Sequence, residues 1–331
     1  MPDSGFLLAV TLFLVLGAEF VNGWTDAPNA IATVVTTRVL SPAKAVAMAA
    51  VLNIVGALTT GVAVATTIGE GIVKQQYLSL SVVAAAMITI LVWSGVTWYF
   101  AIPTSKSHEL IAGLTGAGLA AAGKDVLLWS GWEKVLIGLG FSTILGFVFG
   151  VIFMSILYWT LQKAKLGSIR NIFSRLQIAS AAFMAFSHGS NDGQKFMGVF
   201  SLALVLGGKL AHFSVPWYVM IACGTIMGFG TIIGGWRIIH TLGHRLTKLE
   251  PITGFAAETS ASAAILIASR FGIPLSTTHC ITTAILGVGA SRRVTAVRCG
   301  VARNIVMTWI ITFPVCGILG YIFSLLLNRV F

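Results

Sequence analysis

Two stretches of this chain, about half its length apart, carry the same polar interruption inside apolar sequence. The first is IPTSKSHELIAGLTGAG at 102–118, and the second is IPLSTTHCITTAILGVG at 273–289. Each has a proline, a run of hydroxyl side chains, a histidine, and then an apolar run rich in glycine and alanine. The recurring positions are Pro103/Pro274, Ser105/Ser276, His108/His279, Gly116/Gly287 and Gly118/Gly289.

The surroundings of these interruptions restrict what the chain can be. Of its residues 56% are hydrophobic and only 9% are charged, whereas a soluble protein has roughly 25% charged residues. Because lipid offers backbone groups no hydrogen bonds, spanning segments of this kind are helical. A polar break present twice indicates a substrate site built from two halves. The sequence therefore predicts an all-α polytopic membrane protein, an inverted-topology repeat with discontinuous helices and two re-entrant helical hairpins.

A second motif also occurs twice, as NGWTDAPNA at 22–30 and HGSNDGQK at 188–195. Each lies inside an apolar run, and we expect its helix to be interrupted there near the middle of the membrane. Asp192 follows Asp26 by 166 residues, close to the 171 that separate the two histidines. The sequence therefore predicts two repeats, 1–165 and 166–331, that meet in a short basic connector.

The distribution of lysine and arginine gives a topology. If each Pro-hydroxyl-His segment turns back as a hairpin, 13 of these residues, Arg293 among them, lie on one side and 5 on the other. If both segments cross fully, the same residues divide 9 to 9. Because lysine and arginine are enriched on the cytoplasmic side, the hairpins are favoured. This predicts three spans and one hairpin per half, with both termini outside. It also explains the net charge of +11 without a nucleic acid partner.

Acidic residues at membrane depth are the first candidates for the site. Each costs at least about 2.5 kcal/mol at a helix centre, so such residues usually face a pathway. Asp26 and Asp192 are the strongest candidates, because each lies in a matched motif beside Asn29 or Asn191. For Glu19 and Glu109, a structural ion pair or an interfacial position is an equally good interpretation.

The breaks also suit an anion. Helix starts carry unpaired N–H groups and a partial positive charge, and Lys106 and Lys195 add two ammonium groups. Hydroxyl groups of transmembrane helices often bond only to their own backbone, which is the alternative for those at the breaks. The candidate hydroxyls are those of Thr104, Ser105, Ser107, Ser276, Thr277 and Thr278.

Carboxylates beside an anion site restrict the ligand. They repel a fully deprotonated sulfate, but they accept a strong hydrogen bond from hydrogen phosphate. They also hold a cation that enters with the anion, either Na⁺ with Asp26 and Asp192 as its oxygen ligands, or H⁺ on a buried carboxylate. Histidine changes charge near neutral pH, so His108 and His279 are either packing residues at the tips or contacts for substrate or proton.

At this point the sequence resembles the inorganic phosphate transporter (PiT) family, in its bacterial low-affinity permease form. The resemblance covers nearly the whole chain. It rests on NGWTDAPNAIATVVTTRVLSP at 22–42, IPTSKSH at 102–108, SHGSNDGQKFMG at 187–198 and AETSASAAILIASRFGIPLSTTH at 257–279.

The resemblance implies a cation-coupled phosphate symporter with alternating access, an oligomer in the plasma (inner) membrane. Phosphate would enter free or as a neutral metal–phosphate complex, with H⁺ or Na⁺ as coupling ion and no cofactor. The site residues it implies are Asp26, Asn29, Asn191, Asp192, Glu258 and the hydroxyls of both breaks. The chain departs from the family pattern at Trp24, Thr25, Pro28, Lys106 and Met87, the last standing where an acidic counterpart of Glu258 would lie.

Three other functions remain as alternatives. A sulfate permease would share this fold, and an anion channel or a membrane scaffold would share the apolar composition. An enzyme is not expected, because the sequence has no pairing of a nucleophile with a base and no HExxH-type signature.

Overall fold

The structure is a computed structural model, and it describes residues 4–292 and 297–330. Within those residues the chain forms twelve α-helices. They are α1 (Ser4–Thr36), α2 (Pro42–Thr59), α3 (Ala63–Gly71), α4 (Leu80–Tyr99), α5 (Lys106–Ala122), α6 (Trp129–Leu161), α7 (Leu166–Leu206), α8 (Trp217–Ile233), α9 (Trp236–His240), α10 (Pro251–Arg270), α11 (Thr277–Arg292) and α12 (Cys299–Val330). Arg293, which the charge count includes, lies outside the described residues.

The order of helices in the first half recurs in the second. Each half has a long helix, a helix pair broken at a short gap, two shorter helices joined by a polar segment, and a second long helix. The breaks fall at matching places, at Gly61 between α2 and α3 and at Gly234 between α8 and α9. Both glycines have a positive φ, +86° and +67°, a backbone conformation that residues with a side chain rarely adopt. Across the second break the helix axis bends by 64°.

Neither Asp motif interrupts its helix, so the prediction of breaks at 22–30 and 188–195 is wrong. α1 and α7 run through them without a gap. Pro28 removes one helical N–H, which leaves the Trp24 carbonyl without its usual partner. The break between α8 and α9 packs against this turn of α1. A Cβ at Gly235 would lie 2.8 Å from Pro28 Cγ and 3.0 Å from the Trp24 oxygen. Close packing on this turn allows α1 to continue past the proline.

The two halves make the same backbone contact between helices. A Cβ at Gly23 of α1 would lie 2.1 Å from the Met227 carbonyl oxygen of α8. A Cβ at Gly189 of α7 would lie 2.1 Å from the Asn53 carbonyl oxygen of α2. Only small residues let helix backbones approach so closely in a membrane. The glycines therefore fix α1 on α8 and α7 on α2 in matching geometry.

In each pair of shorter helices, a backbone hydrogen bond joins the segment before the first helix to the segment after the second. The backbone N–H of Lys74 donates to the Val126 carbonyl at 2.8 Å, which joins the start of α4 to the end of α5. The backbone N–H of Arg298 donates to the Leu246 carbonyl at 3.0 Å, near the start of α10 and the end of α11. α5 packs on α12 and α11 packs on α6, so each pair rests against the other half.

Six of the described helices are long and apolar enough to cross a membrane, and the bent α8–α9 pair makes a seventh. The six are α1, α2, α4, α6, α10 and α12. The chain is thus a multi-pass membrane protein. Its basic loops gather at one end, where Arg38, Arg170 and Lys248 line one cavity of about 730 Å³.

Candidate functional site

The two aspartates of the repeated motif meet at the centre of the molecule. A carboxylate oxygen of Asp26, one of Asp192 and a ring nitrogen of His188 all lie within 4.8 Å of one another. Asp26 is 3% exposed and Asp192 is 1% exposed. The long helices α1 and α7, one from each half, bring these side chains together. The site residues predicted from the sequence do not include His188, although its place one helical turn before Asp192 is a signal for it.

Asp26 is held by donors from both halves. The hydroxyl of Thr278 donates to Asp26 Oδ2 at 3.1 Å, and the amide of Asn29 donates to the same oxygen at 3.2 Å. Asn29 also donates to the Thr278 hydroxyl at 2.9 Å. Lys106 Nζ lies 4.0 Å from the other oxygen, Asp26 Oδ1. The start of α11 is thereby tied to the middle of α1.

Asp192 has a similar set of partners, but in closer contact with a cation. The hydroxyl of Thr277 donates to Asp192 Oδ2 at 2.9 Å, and Lys195 Nζ donates to Oδ1 at 2.5 Å. Lys195 Nζ also donates to the Leu275 carbonyl oxygen at 2.9 Å. His188 Nε2 lies 3.3 Å from Asp192 Oδ2. A charged donor and a neutral donor therefore share this carboxylate.

Helix starts lie at the tips of the two helix pairs, in the Pro-hydroxyl-His segments where the sequence predicts breaks, and not at the Asp motifs. Ser105 Oγ accepts from the His108 N–H at 3.4 Å, and Ser276 Oγ accepts from the His279 N–H at 3.2 Å. These are N-cap contacts, which fix where α5 and α11 begin. Ser107 Oγ donates to the Leu275 carbonyl at 3.0 Å, so the tips touch. Two positive helix ends thus lie beside the aspartates.

Thr104 and Lys106 belong to a second polar cluster next to Asp26. The Thr104 hydroxyl donates to Glu109 Oε1 at 2.7 Å, and Lys106 Nζ donates to the same oxygen at 2.8 Å. Ser94 Oγ donates to Glu109 Oε2 at 2.5 Å and accepts from Lys106 at 2.9 Å. Glu109 is therefore a partner of Lys106. Sequence reasoning missed Ser94, because a single hydroxyl in an apolar helix carries no pattern.

The repeated histidines and Asn191 contact groups other than the central carboxylates. The rings of His108 and His279 contact each other at 4.5 Å between centroids, and His279 stacks on Trp309 at 3.6 Å. Asn191 Nδ2 donates to Ser269 Oγ at 2.8 Å. The histidines pack behind the two tips, and their role in coupling stays a prediction.

Glu258 lies in a third buried group that joins three helices. The hydroxyls of Thr33 on α1 and Ser180 on α7 each donate to one oxygen of this α10 carboxylate. Glu258 is fully buried. Neither hydroxyl was predicted. Thr33 lies seven residues after Asp26, two turns along the same helix face, which is a usable signal.

Ionisable groups buried this deep in a membrane protein mark a solute pathway. The helical fold and its central polar site therefore define a polytopic membrane transport protein. The model of the phosphate transporter family matches residues 22–320, and the chain belongs to that family.

Curated relatives agree over nearly full length. A protein of Rhizobium meliloti (strain 1021), named "Probable low-affinity inorganic phosphate transporter", is 44% identical over 95% of this chain and 93% of its own. A protein of Bacillus subtilis (strain 168) with the same name is 42% identical over 98% of this chain and 99% of its own. The family and these relatives are transporters, so the chain is not an enzyme.

One solved structure shares the fold. It is described as "The sodium-dependent phosphate transporter", and the TM-score is 0.86 at 23% identity, covering 98% of this chain and 100% of that one.

Proposed function

We propose that the protein is a secondary active symporter that imports inorganic phosphate together with H⁺ or Na⁺ by alternating access. The observation that carries the proposal is the meeting of Asp26 and Asp192, one from each half, at the tips of two helix pairs. The names of the relatives, which specify inorganic phosphate, support the choice of substrate.

The chemistry of the site favours phosphate over sulfate. The helix starts at Ser105 and Ser276 and the ammonium groups of Lys106 and Lys195 attract a tetrahedral anion. The carboxylates reject an anion without a proton but accept a hydrogen bond from a protonated one. The hydroxyls of Ser107, Thr277 and Thr278 serve as donor and acceptor. The cluster of Asp26, Asp192 and His188 would also hold the metal of a neutral metal–phosphate complex.

Alternating access would use the repeated architecture. In this proposal 1–165 and 166–331 are inverted repeats, and α4–α5 and α10–α11 are re-entrant hairpins whose tips hold the substrate. The site is closed to both ends, since its aspartates, lysines and tip hydroxyls are at most 4% exposed. Rocking of one half on the other would open it to each side in turn.

The coupling ion would bind at the same centre or next to it. Asp26 and Asp192 offer carboxylate oxygens, Glu258 offers a separate buried carboxylate, and His108 and His279 lie behind the tips. We place the transporter in the plasma (inner) membrane as an oligomer, with both termini outside.

The test is uptake of labelled phosphate into proteoliposomes containing Asp26→Asn or Asp192→Asn. Asparagine keeps the shape but removes the charge, so we expect each variant to lose uptake while reaching the membrane in normal amount. Asp125→Asn, which changes an exposed acid in the connection between α5 and α6, is the matched control and should transport normally. Normal uptake by both site variants would contradict the proposal.

The same assay separates the alternatives. A sulfate permease would show phosphate uptake blocked by excess sulfate. An anion channel would show flux that neither saturates with phosphate nor responds to an imposed H⁺ or Na⁺ gradient. We expect saturable uptake that responds to one of the two gradients.

A further inference from the structure

Each central carboxylate has one lysine, and the two lysines come from non-equivalent positions of the repeat. Three residues after the aspartate, the first half has Asn29 and the second half has Lys195. Directly after the capping serine, the first half has Lys106 and the second half has Thr277. In the first half the lysine therefore follows the capping serine, whereas in the second half it lies three residues after the aspartate. The remaining position of each half holds a neutral donor.

The consequence is that each acid has one neutral donor and one lysine nearby, with Lys195 hydrogen-bonded to Asp192 and Lys106 at 4.0 Å from Asp26. Asp26 faces the Asn29 amide and the Lys106 ammonium, whereas Asp192 faces the Thr277 hydroxyl and the Lys195 ammonium. Both lysines are among the largest fully buried side chains of the described residues. Burying an ammonium is costly without paired charge and hydrogen bonds, so these positions have a specific role.

Lys195 Nζ lies among oxygens of the kind that bind a hard cation. Its partners are Asp192 Oδ1 at 2.5 Å and the Leu275 carbonyl oxygen at 2.9 Å. Leu275 belongs to the non-helical segment 271–276 between α10 and α11. Carbonyls of unwound segments and nearby carboxylates are typical sodium ligands in transporters with this kind of repeat. An ion at that place would have to displace the ammonium.

Lys106 has a comparable place beside the other acid. Its Nζ lies 4.0 Å from Asp26 Oδ1, 2.8 Å from Glu109 Oε1 and 2.9 Å from Ser94 Oγ. A sodium ion bound to Asp26 on this side would lie close to the positive charge of Lys106. In a site without water, the repulsion between two like charges is strong.

We propose that Lys195 and Lys106 are tethered cations that occupy the places a coupling sodium ion would take beside Asp192 and Asp26. Phosphate transport by this chain therefore does not use sodium. This inference rests on the proposed symport function and specifies its coupling ion.

The transport test compares sodium with choline. In proteoliposomes the wild-type protein should take up labelled phosphate at the same rate with an inward gradient of either ion. Lys195→Asn and Lys106→Thr give each half the neutral residue that the other half has at that position. We expect each variant to gain stimulation by sodium of at least about fivefold, the lower end of usual coupling between two ligands. Lys209→Asn removes an exposed lysine and should behave as wild type.

A binding test needs no transport. The melting temperature of the purified protein is compared in sodium chloride and choline chloride, because an ion that binds only the folded state raises it. We expect no difference for the wild type and a higher value in sodium for the variants.

Sodium stimulation or sodium stabilisation of the wild type overturns the inference, whether or not the variants fold. Folded variants that ignore sodium in both assays overturn it as well. If wild-type protein transports no phosphate under any gradient, the proposed function fails instead, and the melting comparison still decides whether sodium binds.

Discussion

Glu258 shows how a single buried acid is prepared for two charge states. Its carboxylate contacts the hydroxyls of Thr33 and Ser180, and it takes part in none of the ion pairs of the described residues. A hydroxyl can donate to an ionised carboxylate and accept from a protonated one. The contacts can therefore persist when a proton arrives or leaves, as a proton carrier requires.

Glu258→Gln should separate coupling from substrate binding. Glutamine cannot exchange a proton, so we expect accumulation of phosphate driven by an imposed proton gradient to be lost. Exchange of labelled for unlabelled phosphate across the same membrane should continue, because it moves no net coupling ion. Accumulation at the wild-type rate would exclude Glu258 from coupling. Glu70→Gln, at an exposed acid, serves as the control.

At this scale the sequence predicts residues that belong to repeated motifs and misses those that do not. Asp26, Asp192, Thr277 and Thr278 form one contact network, as their matched spacing suggested. Ser94 also contacts a buried acid, but as one hydroxyl in an apolar helix it has nothing to distinguish it. A contact such as that of Ser94 depends on the direction in which the side chain points. The spacing of residues in the sequence does not determine that direction.

Among the helices, the close crossings of α1 on α8 and α7 on α2 hold the two halves of the chain against each other. At both crossings a glycine faces a backbone carbonyl, and backbone moves less readily than a side-chain end. Replacing such a glycine therefore forces two helices apart rather than displacing one rotamer.

Gly189→Ala is expected to destabilise the protein by about 1–3 kcal/mol, the usual cost of overpacking. The new Cβ would lie 2.1 Å from the Asn53 carbonyl oxygen. Gly95→Ala is the matched control, because a Cβ there meets nothing within 4 Å and alanine favours a helix by roughly 0.5–1 kcal/mol. Thermal unfolding in detergent should show a lower melting temperature for the first variant only. Equal melting temperatures would show that the crossing can relax.

The same elements show where sequence reasoning about breaks fails. Pro28 and the polar residues around Asp192 suggested interrupted helices, yet packing keeps both continuous. The real breaks are at Gly61 and Gly234, which look like ordinary glycines in apolar runs. Local propensity is overridden here because the partner helices decide which backbone groups are satisfied.

For the whole molecule, the loops that the charge count assigns to one side of the membrane lie together at one end. The ends of α1 and the starts of α7 and α10 lie around one cavity that carries Arg38, Arg170 and Lys248. The end of α11 and the start of α12 join them through the contact of Arg298 with Leu246. The predicted cytoplasmic loops are therefore neighbours in space. The sequence could predict which loops lie together, because the predicted orientation in the membrane depends on the summed charge of the loops and not on individual side-chain contacts.

Cys299 tests that orientation without any added label. It is exposed at the start of α12, beside the basic loops, whereas Cys223, Cys280 and Cys316 are buried. A membrane-impermeant maleimide should label Cys299 in inside-out vesicles and not in right-side-out vesicles, because the enrichment of lysine and arginine predicts that the basic end faces the cytoplasm. Cys299→Ser should abolish the signal. In that background, Lys209→Cys at the opposite end should label only from outside. Labelling of Cys299 in right-side-out vesicles would reverse the topology and place both termini in the cytoplasm.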